Sequence, residues 1–356
     1  MSTSLTSNIV IPKTNFTGQS ITLSHGAGGK AMHDLIEQIF VRTFNNAELS
    51  LLEDQARFNL ATLTALGDRL AMTTDSYVVD PLFFPGGDIG KLAVTGTVND
   101  LSVGGAKPLY LTCSMIIEEG FAIDELHKIA LSMKKTADEA GVAIVTGDTK
   151  VVPRGFADKL FINTAGIGVI AKSTQIKASR AASGDVVIIN GFVGDHGAAI
   201  VDARGELALE TTIETDCQVL NHLIKDMLTC CPDIHCMRDA TRGGLATVLN
   251  EFAVASDVAI TLEHNQIPVR DEVRGVCEVL GLDPLYLANE GKLVVIVKKE
   301  SADTLLNVMK LHPAGINSAI IGSVGASPQG KVILETGFGG TRILDMLVGE
   351  QLPRIC

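Results

Sequence analysis

Three aspartates, a glycine-rich run and a terminal thiol are the residues of this 356-residue chain best suited by type and spacing to do chemistry. Asp75, Asp100 and Asp148 each stand beside small or hydroxyl residues where an element is expected to end. A lone aspartate in such a place is more often a cap or a turn residue. Three in matching surroundings describe hard oxygen ligands with room left for phosphate oxygens, which is what Mg²⁺ requires. The run HGAGGK, residues 25–30, directly precedes Met32, Leu35, Ile36, Ile39 and Phe40, whose spacing predicts one buried face of a helix. Free N–H groups at such a helix start form an anion site, and Gly26, Gly28 and Gly29 let a phosphate approach closely. No G-x-x-x-x-G-K-[ST] is present, so the run is not a P-loop; a flexible turn before an ordinary helix is the plainer alternative. His25 is expected to be a hydrogen bonder of that loop rather than a base. Cys356 is the last residue, and Pro353 prevents a helix from running on to it. A free terminal thiol commonly does nothing, but beside a nucleotide-like site it describes an enzyme that activates a group carried on its own tail.

The elements that must position these groups are legible in the apolar pattern. Residues 70–79 read as a strand carrying Asp75, broken afterwards by Pro81, Pro85, Gly86 and Gly87. A helix follows with Leu92, Ala93, Gly96, Val98, Asn99 and Asp100. Then come a strand with Leu109, Leu111, Cys113, Met115 and Ile117, and a helix with Leu126, Ile129, Met133 and Ala137 at helical spacing. VAIVTGDTKVV predicts a strand ending in Gly147, Asp148, Thr149 and Lys150, and KLFINTAGIGVIA another. Apolar periodicity lapses over residues 172–184, where the domain boundary is placed. The second half restarts with a strand, a glycine turn and a helix in GDVVIINGFVGDHGAAI. A helix with Leu223, Ile224 and Met227, the run DATRGG before another helix, a strand over 258–262, a helix over 273–280, the turn ANEG with Glu290 and a strand over 292–297 complete it. Strands and helices alternate in both halves, which predicts an α/β or α+β protein. The expected division is a flexible start over 1–20, domains over 21–172 and 184–340, and a mobile tail over 341–356.

Composition bounds the partners. A net charge of −12 argues against nucleic acid or an anionic membrane, both of which reward a basic face. No apolar run reaches the ~18 residues of a membrane span and the N-terminus lacks a leader pattern, so a cytoplasmic chain is expected. Its 35 glycines, about a tenth of the residues, cluster at turns where backbone can approach a ligand. Seven cysteines without a secretion signal are expected to stay reduced. Cys230, Cys231, His235 and Cys236 lack the paired spacing of a zinc site and are expected at a helix end and loop.

With HGAGGK, TTDSYVVDPLFFPGGDIGKLA, TVNDL, GDTKVV, GDHGA, DATRGG, ANEGKL and a terminal PRIC in this order, the chain closely resembles the HypE family of hydrogenase maturation factors, the carbamoyl dehydratases, from His25 to Cys356. Several of these motifs are also similar to aminoimidazole ribonucleotide synthetase and selenophosphate synthetase; the terminal PRIC distinguishes HypE. The resemblance implies a two-domain PurM-like fold, an N-terminal sheet that pairs with its twin in a homodimer, and ATP with Mg²⁺ between the domains. It implies that a carbamoyltransferase, HypF, loads Cys356 with a carbamoyl group. ATP then drives dehydration of that group to a thiocyanate, and the cyanide passes to iron on the HypC and HypD complex. On the same grounds Asp75, Asp100 and Asp148 are the metal ligands. Gly26, Gly28, Gly29, Lys91, Asn99, Gly147, Thr149 and Asp239 line the nucleotide, while Lys150 and Glu290 handle protons. Lys150 has the alternative of merely neutralising phosphate, and Glu290 that of being a turn acid. Arg354 is available to steady phosphate or to offset the terminal carboxylate.

Two other readings remain open on the residues alone. In one, a small-molecule synthetase or kinase of the same superfamily activates a free substrate and the tail is irrelevant. In the other, a non-enzymatic carrier moves a metal or persulfide on its terminal thiol. Dependence on Cys356 separates the first, and nucleotide turnover the second.

Overall fold

The computed structural model describes residues 14–205, 212–349 and 352–356. Two sheets, each with its own helices, divide the chain. Short helices α1 (Lys30–Leu35), α2 (Arg42–Phe44) and α3 (Leu60–Thr64) precede the first sheet. The helix predicted after HGAGGK is present: α1 and α2 are joined without interruption by π-helical turns over Ile36–Val41, and Leu35, Ile39 and Phe40 are buried as the spacing requires.

Strands β1 (Arg69–Tyr77), β4 (Ala106–Glu118), β5 (Ala143–Val152) and β6 (Leu160–Ile170) form the first sheet in the order β1-β6-β4-β5, beside a small hairpin of β2 (Phe83–Phe84) and β3 (Gly87–Asp88). Only β4 and β5 run parallel, since α5 (Ile123–Ala140) supplies the crossover between them. Helix α4 (Ile89–Val103) is almost wholly buried because it lies between this sheet and the second half of the chain. Asp88 caps it, its Oδ1 accepting from the N–H groups of Gly90 at 2.7 Å and Lys91 at 3.0 Å. Small residues let the helix approach so closely: a Cβ on Gly96 would stand 2.3 Å from the Tyr77 hydroxyl.

The second sheet, in the order β13-β12-β9-β11-β7-β10-β8, comprises β7 (Val186–Ile189), β8 (Ile234–Asp239), β9 (Ala259–Glu263), β10 (Leu293–Val297), β11 (Ala319–Gly325), β12 (Lys331–Glu335) and β13 (Thr341–Ile343). Its helices are α6 (Asp195–Ala203), α7 (Asn221–Cys230), α8 (Gly244–Ser256), α9 (Asp271–Leu280) and α10 (Lys299–Leu311). Strand β10 is apolar throughout because both of its faces are covered. Val294 and Ile296 pack with α8, and Leu293, Val295 and Val297 with α7 and α10. Each such side chain contributes about 1.5–3 kcal/mol on burial.

The cysteine-rich segment differs from expectation. Cys230 ends α7, but Cys236 and His235 lie within β8 rather than in a loop. A polar residue fits this buried strand because His235 Nδ1 meets the Asp185 carboxylate at 2.7 Å. All seven cysteines are free, and among the described residues no three His, Cys, Asp or Glu side chains are grouped to hold a metal. Among those residues, too, no helix is long and apolar enough to cross a membrane.

A candidate active site around the terminal cysteine

The last residues lie docked along the chain that leaves β1. Val78 N–H donates to the Cys356 carbonyl at 3.0 Å and Asp80 N–H to the Arg354 carbonyl at 3.2 Å, an antiparallel pairing of main chains. Arg354 turns back to donate to the Val78 carbonyl at 2.9 Å and pairs with Asp158. The phosphate or carboxylate role open to Arg354 is therefore taken by a fixed internal partner. Ile355 and Cys356 pack against the core of the first half, and Leu352 against Val273 and Leu287 of the second.

Docking carries the Cys356 sulfur to a group of acids drawn from both halves. Asp75 projects from the inner row of β1 and accepts from Arg242 at 2.8 Å. Asp100, on α4, accepts from Thr73 Oγ1 at 2.9 Å. Asp239 ends β8, and Glu290 occupies the turn before β10, only 3% exposed. Burial and then Asp75 raise the Asp100 carboxyl, against its bond from Thr73. Burial and then Asp100 push Asp239 up to about 7. Burial, with Asp216 and Asp239 beside it, drives Glu290 well above the usual carboxylate range. For the Cys356 thiol, burial and the Glu290 charge push the value up to about 12, only partly offset by Arg242. Such a set repels a further negative charge unless a cation accompanies it. Cavities of about 330 Å³, beside Cys356, Arg242 and Tyr286, and about 420 Å³, beside Asp100, Asp239 and Lys177, flank the group.

A buried ion pair builds the turn that aims Glu290. The Asp216 carboxylate accepts from the N–H groups of Glu290 at 3.0 Å and Gly291 at 3.1 Å, and from Lys292 Nζ at 2.9 Å. Burial alone would raise Asp216, but Lys292, His196 and these bonds hold it below its ordinary value. Gly291 is obligatory here, since a Cβ would stand 1.9 Å from the Asp216 carbonyl. Asn289 adds bonds to Gly194 N–H at 2.7 Å and to the Leu287 carbonyl at 2.9 Å.

Several residues expected at the site lie elsewhere. Asn99 is fully engaged between the halves: it donates to the Gln218 carbonyl at 3.1 Å and accepts from Leu220 N–H at 2.8 Å. It clamps the two halves together and has little left for a nucleotide. Lys91 begins α4, nine residues or about 13 Å from Asp100 along the helix, and donates to the Gly86 carbonyl at 2.9 Å. Gly147, Asp148, Thr149 and Lys150 lie on β5, the far edge of the sheet from β1, across three strand spacings or about 14 Å. Asp148 also belongs to the outer row with Ser114, Asn163 and Ser76, so it points away from the face that carries Asp75. A single chain therefore joins Asp75 and Asp100 to Asp239, and leaves Asp148 outside the group. Lys150 pairs with Asp148 at 3.0 Å on that edge. The HGAGGK loop packs there as well, Gly26 against Val151, with Gly28 and Gly29 open to solvent. His25 is buried and its Nδ1 accepts from Thr22 N–H at 3.0 Å, the bonding role expected of it.

Other residues were not foreseen. Arg242 stands within the quoted DATRGG run and Lys292 within ANEGKL, so their motifs were visible though their roles were not. His196 is in GDHGA for the same reason. Asp216 and Arg204 carry no motif, and only folding brings them to the site.

Residues 53–170 match the family described as AIR synthase related protein, N-terminal domain, and residues 182–335 its C-terminal domain. The chain is 53% identical over 338 residues to the carbamoyl dehydratase HypE of Rhodobacter capsulatus, covering 95% of this chain and 98% of that protein. A crystal structure of hydrogenase maturation protein HypE in complex with ATP superposes with a TM-score of 0.89 at 50% identity, covering 94% and 99% of the two chains. A HypE–HypF complex matches with a TM-score of 0.77 at 47% identity, covering 88% and 99%. Sharing half its residues with these proteins over nearly its full length, and with its terminal cysteine brought to a buried acidic site, the chain belongs to the HypE family of carbamoyl dehydratases, on the two-domain fold of the AIR synthase related proteins.

Proposed function

We propose that this chain uses ATP to dehydrate a carbamoyl group carried on the Cys356 thiol, leaving a thiocyanate that supplies the cyanide ligand of hydrogenase iron. The observation that carries the reading is the docked tail, whose sulfur meets Glu290, Arg242 and Asp75 in one place. An amide oxygen is a poor leaving group. Attack of the thiocarboxamide oxygen on the γ-phosphorus of ATP releases ADP and turns that oxygen into a phosphate ester. Loss of two N–H protons and departure of phosphate then complete the C≡N bond. Glu290 is the acceptor for those protons, because its buried carboxyl acts on the Cys356 sulfur and burial makes it a stronger base than a carboxylate in water. Arg242 bridges Asp75 and the carried group and offsets charge on the transferring phosphate.

Asp75 and Asp100, with Asp239 behind them, fit Mg²⁺ in donor chemistry: the hard oxygens are gathered without a matching buried cation. When bound, the ion neutralises phosphate charge. Lys150 and Asp148 enter through a homodimer. The outer face of the first sheet exposes Leu70, Met72 and Ile116, and a twin covering it would bring the β5 edge and the HGAGGK loop of one chain toward the acids of the other. In the same reading HypF loads the tail in a cytoplasmic setting and the HypC–HypD complex receives the cyanide; a solved HypE–HypF complex at 47% identity supports the first partner. Loading requires the tail to undock, because a thiol held near 12 is un-ionised at neutral pH and its main chain is bound along the body of the protein. Carbamoylated protein given Mg-ATP should lose one water from its C-terminal peptide by mass spectrometry; Cys356→Ala should neither accept nor convert the group.

A further inference from the structure

Every main-chain carbonyl from Pro353 to Cys356 is taken by a donor from the body of the protein. Arg204, at the C-terminal end of α6, donates to the Pro353 carbonyl and, at 3.0 Å, to that of Arg354. Its Nε also donates to the Asp80 carbonyl at 3.0 Å, so one guanidinium staples the tail to the segment it pairs with. His196, in the first turn of α6, meets the Ile355 carbonyl through Nε2 at 2.7 Å. Its other nitrogen is held by Thr215 Oγ1 at 2.7 Å, and Thr215 is itself fixed by its N–H to the Pro85 carbonyl at 2.9 Å. With the tail docked the ring is fully buried, its orientation held from the other side by Thr215. Burial keeps it neutral: Nε2–H donates to Ile355 and Nδ1 accepts from Thr215. These donors read the path of the main chain, not side-chain identity. Arg354 follows that path with a φ of 51°, a conformation an arginine adopts at a cost and keeps only where its surroundings enforce it.

We propose that His196 and Arg204 are positioning residues for the dehydration, forming a latch on α6 that holds the tail main chain so that the group on Cys356 faces Glu290. Neither residue touches the reacting carbon or the acid cluster. Their contribution is orientation, the conversion of a roaming tail into an intramolecular reactant. This rests on the reading proposed above.

The test uses full-length Arg204→Met and His196→Ala, with Arg204→Lys and His196→Gln as variants that keep a donor. The first readout is the rate at which iodoacetamide labels Cys356, followed on the C-terminal peptide by mass spectrometry. The second is the single-turnover rate of dehydration after carbamoylation. Loss of a charge-assisted bond should raise labelling about tenfold and lower dehydration about tenfold or more in Arg204→Met, with loading by the carbamoyltransferase as fast as native or faster and ATP affinity unchanged. His196→Ala should act in the same direction, and His196→Gln should recover most of the loss. Should His196→Ala fail to fold, Arg204→Met decides alone. Labelling and dehydration at native rates in Arg204→Met would overturn the latch. Labelling needs neither ATP nor a carbamoyl group, so it separates the two claims: faster labelling in a protein that makes no thiocyanate upholds docking and removes the reaction, and native labelling in one that does removes the latch alone.

Discussion

In the proposed reaction Glu290 is the residue at which burial acts chemically. A carboxylate in water is too weak a base to take a proton from an activated amide near neutrality, whereas this one is lifted by burial and by neighbouring acids. Glu290→Gln keeps the shape of the turn and should lower dehydration about 10²–10⁴-fold while ATP still binds; single-turnover rates alongside nucleotide titration check it, and an unchanged rate removes Glu290 from proton transfer. Asp239 offers a test of the acid cluster through stability. Its carboxyl sits at about 7 in the fold against about 3.9 in an unfolded chain. Between those values the native state keeps a proton that the unfolded state has released, so stability falls as pH rises from about 4 to about 7 and stays lowered above. Asp239→Asn removes the penalty. In chelator it should raise Tm by a few degrees at pH 8, with the gain shrinking toward pH 5; an equal shift at both pH values would show that the charge is not the cause.

At the scale of elements, α4 decides the architecture, because it packs on the first sheet and carries both Asp100 and the Asn99 clamp to the second half. Its close approach depends on Gly96. Gly96→Ala overpacks the Tyr77 hydroxyl and should cost about 1–3 kcal/mol in denaturant unfolding. Tyr77→Phe in the same chain should recover part of that cost; no recovery would mean the strain lies elsewhere. The helix itself was legible, since Leu92, Ala93, Gly96, Val98, Asn99 and Asp100 are expected on it, although its Asp88 cap was not singled out. Strand β8 was not. Half of its residues IHCMRD are polar, and what lets His235 be buried among them is Asp185, fifty residues away in sequence, which no local pattern announces. Asp216 was invisible for the same reason: its partners, Glu290, Gly291 and Lys292, lie more than seventy positions on.

For the whole molecule, the order of motifs disclosed the two halves and the nature of the chemistry, but not which acids meet. Asp75, Asp100 and Asp148 look alike in sequence, and the alternation of β strands sends Asp148 to the outer face of the opposite edge. The homodimer proposed through that face would account for both its exposed apolar residues and the separation of the predicted ligands. Met72→Glu, at a position 73% exposed in one chain, should yield monomers by light scattering and depress ATP-dependent dehydration; a monomeric variant of native activity would show that one chain suffices. The central claim is that the docked Cys356 is the seat of the reaction. It is tested most directly by mass spectrometry of the C-terminal peptide of carbamoylated protein before and after Mg-ATP. Conversion of the carbamoyl adduct to one lighter by a single water, on Cys356 and only with ATP, is the predicted result. A carbamoyl adduct that persists unchanged while ATP is consumed, or a water lost from any other residue, would contradict it.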